Sequence, residues 1–346
     1  MVCFGAMTSS SFDIDNIPND LLHNIFSRLR MKDLLRFKSV CKHWCSLIQD
    51  PAFVKMHFER PNNDIFIYRT TFSYSDKQLA IGHHLEQGIV DSDNLCRMDL
   101  YRMDYDEPQM ANSASPCNGL YASPSIGGYC ILNPSTKERI PLPRRSHKFN
   151  PLCVGLGFDP SRNKYKVVAM GGRLKTNYSP VVCQVFTLGT SSWRKINSKP
   201  PVVTSTDISN LQHITVNGTL YWGAAGDNDI ISFDLKTEQF GVNIPQPKKF
   251  SSSQYKLLEY GGRLCMFGKD EASPNTMNVY NLWMLEEHGW FKQQVFSLNN
   301  VDTFWYILPD VVLRNGEILT TSKEDEKHFL HSYNLQSRVS KKIEIH

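Results

Sequence analysis

The segment Cys41-Lys42-His43-Trp44-Cys45 places two thiols and an imidazole within five residues, the composition of a zinc or redox site. On a helix Cys41 and Cys45 share a face while His43 points elsewhere. No second Cys or His pair follows at a zinc spacing, so small apolar helix contacts are the expected role. A copper oxidase centre would need Tyr, His and Cys converging on one face. His83, His84, His213, His288, Tyr121 and Cys130 are the available residues, and no spacing pairs them. Gly155-Leu156-Gly157 is too short for a phosphate-cradling loop and precedes no helical pattern. Neither a nucleophile elbow nor an HExxH helix is present. No metal, no cofactor and no catalytic set is expected, which leaves recognition as the function to be read.

Composition narrows the partners. The 346 residues carry 38 basic and 34 acidic side chains, a net charge of +4, too small to imply nucleic acid binding. The doublets Arg144-Arg145, Lys248-Lys249 and Lys341-Lys342 lie beside Pro or in turn-like sequence and read as solvated loops. Apolar residues at 41% and charged residues at 21% are ordinary globular usage, not disordered, collagenous or disulfide-scaffold composition. No apolar run approaches the ~18 residues of a membrane-spanning helix, so no membrane partner is expected. The opening MVCFGAMTSSSFDID lacks the basic start and apolar core of a secretory leader. Nine scattered cysteines, an odd number, suit a reduced compartment, and cytoplasm and/or nucleus is the expected location.

Two kinds of element must position whatever surface does the recognising. From Ile17 to about Phe58 the apolar spacing is helical. IPNDLLHNIFSRL puts Leu21, Leu22, Ile25, Phe26 and Leu29 on one broad stripe, with Pro18, Asn19 and Asp20 as start signals. KDLLRFKSVCKHWCSLIQD continues at three- and four-residue steps through Leu34, Phe37, Val40, Cys41, Trp44, Leu47 and Ile48, with Asp33 as expected N-cap. Asp50-Pro51 stops it, and AFVKMHF adds another turn. Two or three short helices bury little by themselves, and their stripes are wide. They pack either on the rest of the chain or on a partner's helices.

These residues resemble an F-box. Ile17-Pro18, Leu21-Leu22, Ile25, Leu29, Leu34, Leu35, Arg36, Val40, Cys41, Lys42, Trp44, Leu47, Ile48 and Pro51 follow the family pattern in order over about 40 residues, with Arg30 in place of the usual proline. The resemblance implies docking on a Skp-type adaptor, and through it on the cullin and RING subunits of a ubiquitin ligase. Ile17, Pro18, Leu21, Leu22, Ile25, Leu29, Leu34, Val40, Cys41, Trp44 and Ile48 are the adaptor-binding residues it implies, some of which hold the module's own core instead.

From about Asp64 the helical period gives way to short β-rich runs: DIFIYRTTF, LYASP, YCILN, YKVVAM, VVCQVFTL, TLYWGAA, DIISFDL, RLCMFG and EILTTS. A hairpin signature recurs. A turn-opening Asn133, Thr187, Asp234 or Asn334 is followed three places later by Thr136, Thr190, Thr237 or Ser337, whose side chains can bond across the turn. A looser copy begins at Asn281, giving intervals of 54, 47, 47 and 53 residues. Asn118-Gly119, Asn217-Gly218, Gly261-Gly262 and Asn315-Gly316 mark a second, earlier turn in four units. Two turns and three or four strands per unit of ~50 residues indicate propeller blades rather than a β-sandwich. Five units are visible, and Asp64–Tyr105 supplies a sixth or shares a blade with the C-terminal strands. Trp222, Trp283, Trp290 and Trp305 are expected to pack blades.

The stretches CNGLYA, ILNPSTKERIPLP, VGLGFDPSRNKYKVV, QVFTLGTSSWRKI, NGTLYW, ISFDLKTEQF and YNLWMLEEHGWFKQQVFSL resemble the F-box-associated domain of plant F-box/kelch-type proteins, although Gly171-Gly172 and Gly261-Gly262 are only fragments of a strict kelch signature. The expected fold is α+β multidomain: a disordered N-terminus over 1–12, a small all-α F-box over 13–60, and an all-β propeller-like domain of about six blades over 61–346. The resemblance implies a non-catalytic substrate receptor of a Skp–cullin–F-box ligase that holds an unidentified target protein. A regulatory protein bound to the adaptor outside a ligase, a small-molecule-gated receptor and a propeller enzyme with a helical cap stand as alternatives.

Overall fold

The computed structural model describes residues 17–29, 31–58, 65–71, 77–83, 101–104, 116–125, 128–133, 136, 138–144, 149–173, 181–200, 213–223, 229–247, 255–269, 279–297, 311–312, 317–324 and 327–345. The chain divides into two compact units, Met1–Asn63 and Asp64–His346.

The first unit holds α1 (Asn19–Ser27), α2 (Met31–Phe37), α3 (Lys42–Gln49) and α4 (Pro51–Phe58). Pro18 occupies the N-cap of α1, and its carbonyl accepts from the Leu21 and Leu22 amides. The stretch expected to continue from Asp33 to Asp50 is two helices. At Cys41 the backbone turns extended (φ −154, ψ 164), and the Cys41 Sγ caps α3 by accepting from the Trp44 amide at 3.4 Å. Asp33 is not a cap; it lies in the first turn of α2. The acidic cap stands at Asp50 instead. It ends α3, and its Oδ1 accepts from the amides of Ala52 at 2.9 Å and Phe53 at 3.1 Å. With Pro51 preset for the first helical position, the same dipeptide stops one helix and starts the next. Leu22, Phe26, Leu34, Ile48 and Phe53 form the core of the unit. The Trp44 ring meets Phe26 edge-on at 5.0 Å and Phe37 at 5.4 Å. Buried His57 donates from Nε2 to the Leu29 carbonyl at 2.8 Å, tying α4 to the end of α1.

Among the described residues the second unit forms six antiparallel sheets, each with its strands in chain order. The first contains β1 (Ile65–Thr71), β2 (Lys77–His83) and β3 (Tyr101–Asp104). The second contains β4 (Tyr121–Ser125), β5 (Gly128–Asn133) and β6 (Glu138–Pro141). The third has β7 (Phe149–Asp159), β8 (Lys164–Arg173), β9 (Val182–Thr187) and β10 (Arg194–Lys195). The fourth has β11 (His213–Val216), β12 (Thr219–Trp222), β13 (Ile231–Asp234) and β14 (Gln239–Phe240). The fifth has β15 (Tyr255–Tyr260), β16 (Arg263–Lys269), β17 (Val279–Glu286) and β18 (Gly289–Ser297). The sixth has β19 (Val311–Val312), β20 (Glu317–Glu324), β21 (Lys327–Asn334) and β22 (Ser340–Ile345). The degenerate stretch after Asp64 thus makes a sheet of its own, while the C-terminal β22 pairs with β21.

The second to sixth sheets stack face to face. Val167 and Phe186 of the third sheet meet Ala122 and Ile131 of the second, while Val168, Met170, Cys183 and Val185 meet Leu220, Trp222, Ile231 and Phe233 of the fourth. Val216 and Ile230 join Tyr255, Leu257 and Met266 between the fourth and fifth sheets, and Leu258, Phe267 and Tyr280 join Ile318 and Leu335 between the fifth and sixth. A sheet covered on both faces has no solvent side, which is why Lys166-Val167-Val168-Ala169-Met170 reads as an unbroken run rather than an alternation. Close stacking needs bare backbone at two points. A Cβ on Gly155 would stand 2.9 Å from the Trp222 ring, and one on Gly157 would stand 2.5 Å from a Leu235 methyl. The initial strands of successive sheets, β7, β11, β15 and β19, lie side by side, and β4 lies against β7. Trp193 donates from Nε1 to the Pro143 carbonyl at 2.8 Å, and Trp290 donates to the Pro245 carbonyl at 2.7 Å, the same clasp on the preceding sheet. Trp222 and Trp283 also pack between sheets, and Trp305 lies outside the described residues.

The turns follow the chemistry of their residues. Asn118, Gly119, Asn217, Gly218, Gly261 and Gly262 all adopt positive φ; Asn315-Gly316 lies outside the described residues. In the outer hairpins Asn133 Oδ1 accepts from the Thr136 amide at 3.4 Å. Asp234 Oδ1 accepts from the Thr237 amide at 2.6 Å and hydroxyl at 2.9 Å. Asn334 Oδ1 accepts from the Gln336 and Ser337 amides. At Thr187 the bond runs from the Thr190 hydroxyl to the Thr187 carbonyl at 2.7 Å. Asn281 is a correction. It is buried in mid-strand opposite Gly268 and Val295, and the hairpin of that sheet closes at Glu286 and Gly289, with Gly289 at φ 118.

Candidate functional site

Consecutive leucines in α1 point to opposite sides. Leu22 and Phe26 are each 1% exposed, whereas Leu21 and Ile25 are 56% and 51% exposed. Four residues apart on a helix, Leu21 and Ile25 stand in line, and exposed Pro18 begins the same row at the helix start. Val40, in the turn that breaks the second helical stretch, is also 53% exposed. Val54 and Met56 of α4 are exposed as well, so apolar side chains stand in water on α1, at the Val40 turn and on α4, over a closed core.

The residues expected to bind an adaptor therefore separate. Pro18, Leu21, Ile25 and Val40 are exposed. Ile17, Leu29 and Trp44 are half-buried against the core, and Cys41 is half-buried as a helix cap. Leu22, Leu34 and Ile48 are enclosed in that core, so the adaptor-facing role implied for them has no surface left to act through. Arg30 lies outside the described residues.

In the second unit a cluster of charge joins the third and fourth sheets, and the sequence reading did not find it. Asp159, at the end of β7, and Lys166, in β8, are almost wholly buried. Lys166 Nζ donates to Asp159 Oδ2 at 3.0 Å, to Glu238 Oε1 at 3.0 Å and to the Leu235 carbonyl. Ser161 donates its amide at 3.1 Å and hydroxyl at 2.6 Å to Asp159 Oδ1. Glu238, at φ 58 in the β13–β14 turn, also accepts from Arg194 Nη2 with both carboxylate oxygens, at 2.5 and 2.6 Å. Burial by itself would raise the Asp159 and Glu238 carboxyls. The hydrogen bonds and charges of Ser161 and Lys166 on the one, and of Arg194 and Lys166 on the other, outweigh it and hold both below their usual range. The available signal was a lysine inside an apolar strand run, Tyr165-Lys166-Val167-Val168.

The reactive side chains do not assemble. His213 begins β11 and is buried; burial lowers it to about 4, so it is a neutral acceptor for the Leu156 amide at 3.3 Å. Cys117 and Cys265 are pushed up to about 12 by burial, and Cys153 and Cys183 are raised in the same way, which leaves these thiols un-ionised and poor nucleophiles. Cys153 and Cys183 sit across β8 from one another, on β7 and β9. Two strand spacings, roughly 9.6 Å, exceed the reach of a disulfide. Tyr121, Cys130, His213 and His288 lie on β4, β5, β11 and the β17–β18 turn. His83 ends β2, and His84 lies outside the described residues. Among the described residues no three His, Cys, Asp or Glu side chains are placed to hold a metal ion, and no helix is long and apolar enough to cross a membrane.

Comparison with known proteins meets these two units separately. The F-box domain model matches residues 14–56, and the F-box associated beta propeller domain model matches residues 69–346. The F-box protein At1g30790 of Arabidopsis thaliana is 28% identical over 313 residues, covering 81% of this chain and 75% of its own. The F-box protein At5g49610 of the same plant is 27% identical over 299 residues, covering 81% and 79%. Among solved structures, TolB from Acinetobacter baumannii superposes with a TM-score of 0.51 at 11% identity, covering 85% of this chain and 67% of that one, a likeness of fold alone. The two models fall on the helical module and on the unit of antiparallel sheets, and the chain belongs to the F-box proteins that carry an F-box associated β-propeller domain.

Proposed function

We propose that this chain is the substrate-recognition subunit of a Skp–cullin–F-box ubiquitin ligase. The observation that carries the reading is the exposed apolar row Pro18, Leu21 and Ile25, with Val40, on a module whose core is already filled. Apolar side chains left half in water gain free energy when a partner's helices cover them. The Skp-type adaptor is that partner, and cullin and RING subunits join through it. The F-box spans 13–60 and the propeller 61–346, and the propeller holds a target protein beside the ubiquitin-loaded enzyme. The contribution is positional: tethering raises the effective concentration of target lysines at the transfer site. No side chain of this chain acts as acid, base or nucleophile; catalysis belongs to the other subunits. The complex works in the cytoplasm and/or nucleus.

The test is affinity capture of the full chain from cells treated with a proteasome inhibitor. The expected outcome for the parent chain is co-purification of adaptor, cullin and a ubiquitin-modified target; Leu21→Asp loses adaptor, cullin and the ubiquitin modification and keeps the unmodified target. Capture of the target by the parent chain without the adaptor refutes the reading. Capture of the adaptor with no ubiquitin transfer to the bound target supports a regulatory role outside a ligase instead.

A further inference from the structure

We propose that the turn end of the third and fourth sheets is a docking surface for an acidic peptide segment. The inference deepens the reading above by naming the chemistry of the target. Three turns meet there: Asp159–Lys164 between β7 and β8, Thr187–Thr190 after β9, and Asp234–Glu238 between β13 and β14. They carry or adjoin six cations, Arg162, Lys164, Lys166, Arg194, Lys195 and Lys236, against three carboxylates, Asp159, Asp234 and Glu238. Two of the carboxylates are already paired with cations. Asp159 and Glu238 hold Lys166 from within, and Asp234 is bonded to Thr237. The positive charge left over points outward.

Two of the cations are preorganised. Arg194 is held by both oxygens of Glu238 and keeps 53% of its side-chain surface exposed. Arg162 donates to the Lys236 carbonyl at 3.0 Å, lies 3.7 Å from Asp159 Oδ2, and keeps 59% exposed. Guanidinium groups fixed from behind lose little freedom when they bind a carboxylate in front. Lys164, whose Nζ lies 4.0 Å from where a Cβ on Gly189 would stand, and Lys236 are exposed around them, and Lys195, beside Arg194 on β10, is exposed on the other face of that strand. The exposed residues between these cations are Pro160, Ser161, Asn163, Gly189, Thr190, Ser191, Ser192 and Thr237. None is aromatic, so the surface offers no stacking platform for bases and favours a peptide over a nucleic acid.

The experiment measures binding of a fluorescent oligoglutamate peptide to the full chain by anisotropy. An oligoglutamine peptide of equal length and a single-stranded DNA oligonucleotide serve as the other probes. The expected result is saturable binding of the glutamate peptide that weakens with salt and exceeds the glutamine peptide by about tenfold or more. The variant Lys164→Glu/Lys195→Glu/Lys236→Glu, which leaves the buried cluster in place, weakens it by about tenfold. Lys→Gln at the same positions gives a smaller loss in the same direction. Equal binding of the two peptides overturns the proposal, as does tighter binding of the DNA, or a folded triple variant that binds like the parent. Adaptor capture is measured in parallel. It is unchanged in the triple variant, so loss of peptide binding and loss of the adaptor surface are told apart.

Discussion

Leu21 and Leu22 are neighbours in sequence with opposite burdens, and exchanging each for alanine separates the module's surface from its core. Leu22 is 1% exposed and packs with Phe26, Leu34, Ile48 and Phe53. Its removal leaves a cavity in a small core and costs about 2–5 kcal/mol of stability. Leu21 is 56% exposed, so Leu21→Ala costs under ~1 kcal/mol of stability. Its cost falls on docking. Complete burial of a leucine is worth about 1.5–3 kcal/mol, and roughly half of that surface remains to be covered by a partner. Leu21→Ala with Ile25→Ala, which is 51% exposed, should therefore weaken adaptor binding by about 2–3 kcal/mol, roughly 30- to 150-fold. Isothermal titration of the full chain with purified Skp-type adaptor gives the affinity, and thermal unfolding followed by circular dichroism gives the stability. The reasoning is refuted if Leu21→Ala unfolds the helices as readily as Leu22→Ala. It is refuted equally if the double variant binds the adaptor within a factor of about three of the parent.

Three further outcomes follow from the propeller. Lys166→Met removes the buried cation that Asp159 and Glu238 share, leaving them only the more exposed Arg162 and Arg194, and should cost about 3 kcal/mol in denaturant unfolding, and adding Asp159→Asn and Glu238→Gln should restore most of it. Gly157→Ala places a methyl 2.5 Å from Leu235 and should destabilise by about 1–3 kcal/mol, a loss that Leu235→Ala does not add to in full. The third concerns pH. His213 is held near 4 in the fold against 6.5 in the unfolded chain, so the unfolded state takes up its proton first as pH falls. Its contribution is complete above pH ~6.5 and declines by about 3 kcal/mol on the way down to ~4. Unfolding free energies of the parent and of His213→Gln should accordingly converge as pH drops across that window, and parallel curves would remove His213 as the cause.

Much of this architecture can be read from residues whose local chemistry agrees with their final place. Asn217-Gly218 and Asp234 form the turns their side chains favour, and Asp50-Pro51 divides two helices as a proline must. The misreadings share a cause. Asn281 looks like a turn opener because asparagine usually is one, but its strand is covered on both faces and tertiary burial overrides the local preference. The second helical stretch keeps its period across Lys38–Cys41 although the backbone does not, since apolar spacing records which side chains face the core and not whether the helix between them is continuous. Of the residues that the resemblance implies for an adaptor, Leu21 and Leu22 are indistinguishable by type, and only the packing of α1 on its neighbours decides which one meets solvent. The buried Asp159–Lys166–Glu238 cluster joins residues more than seventy positions apart, so no local pattern announces it.

Stacking on both faces has a consequence for the chain as it is made. From the second sheet to the fifth, each one finished at the ribosome presents an oily side that the next fifty or so residues cover. Val168, Met170 and Val185 wait in this way for Leu220 and Trp222. Synthesis thus carries one unquenched surface forward from sheet to sheet, and a message truncated between them yields a product that is sticky and not merely short.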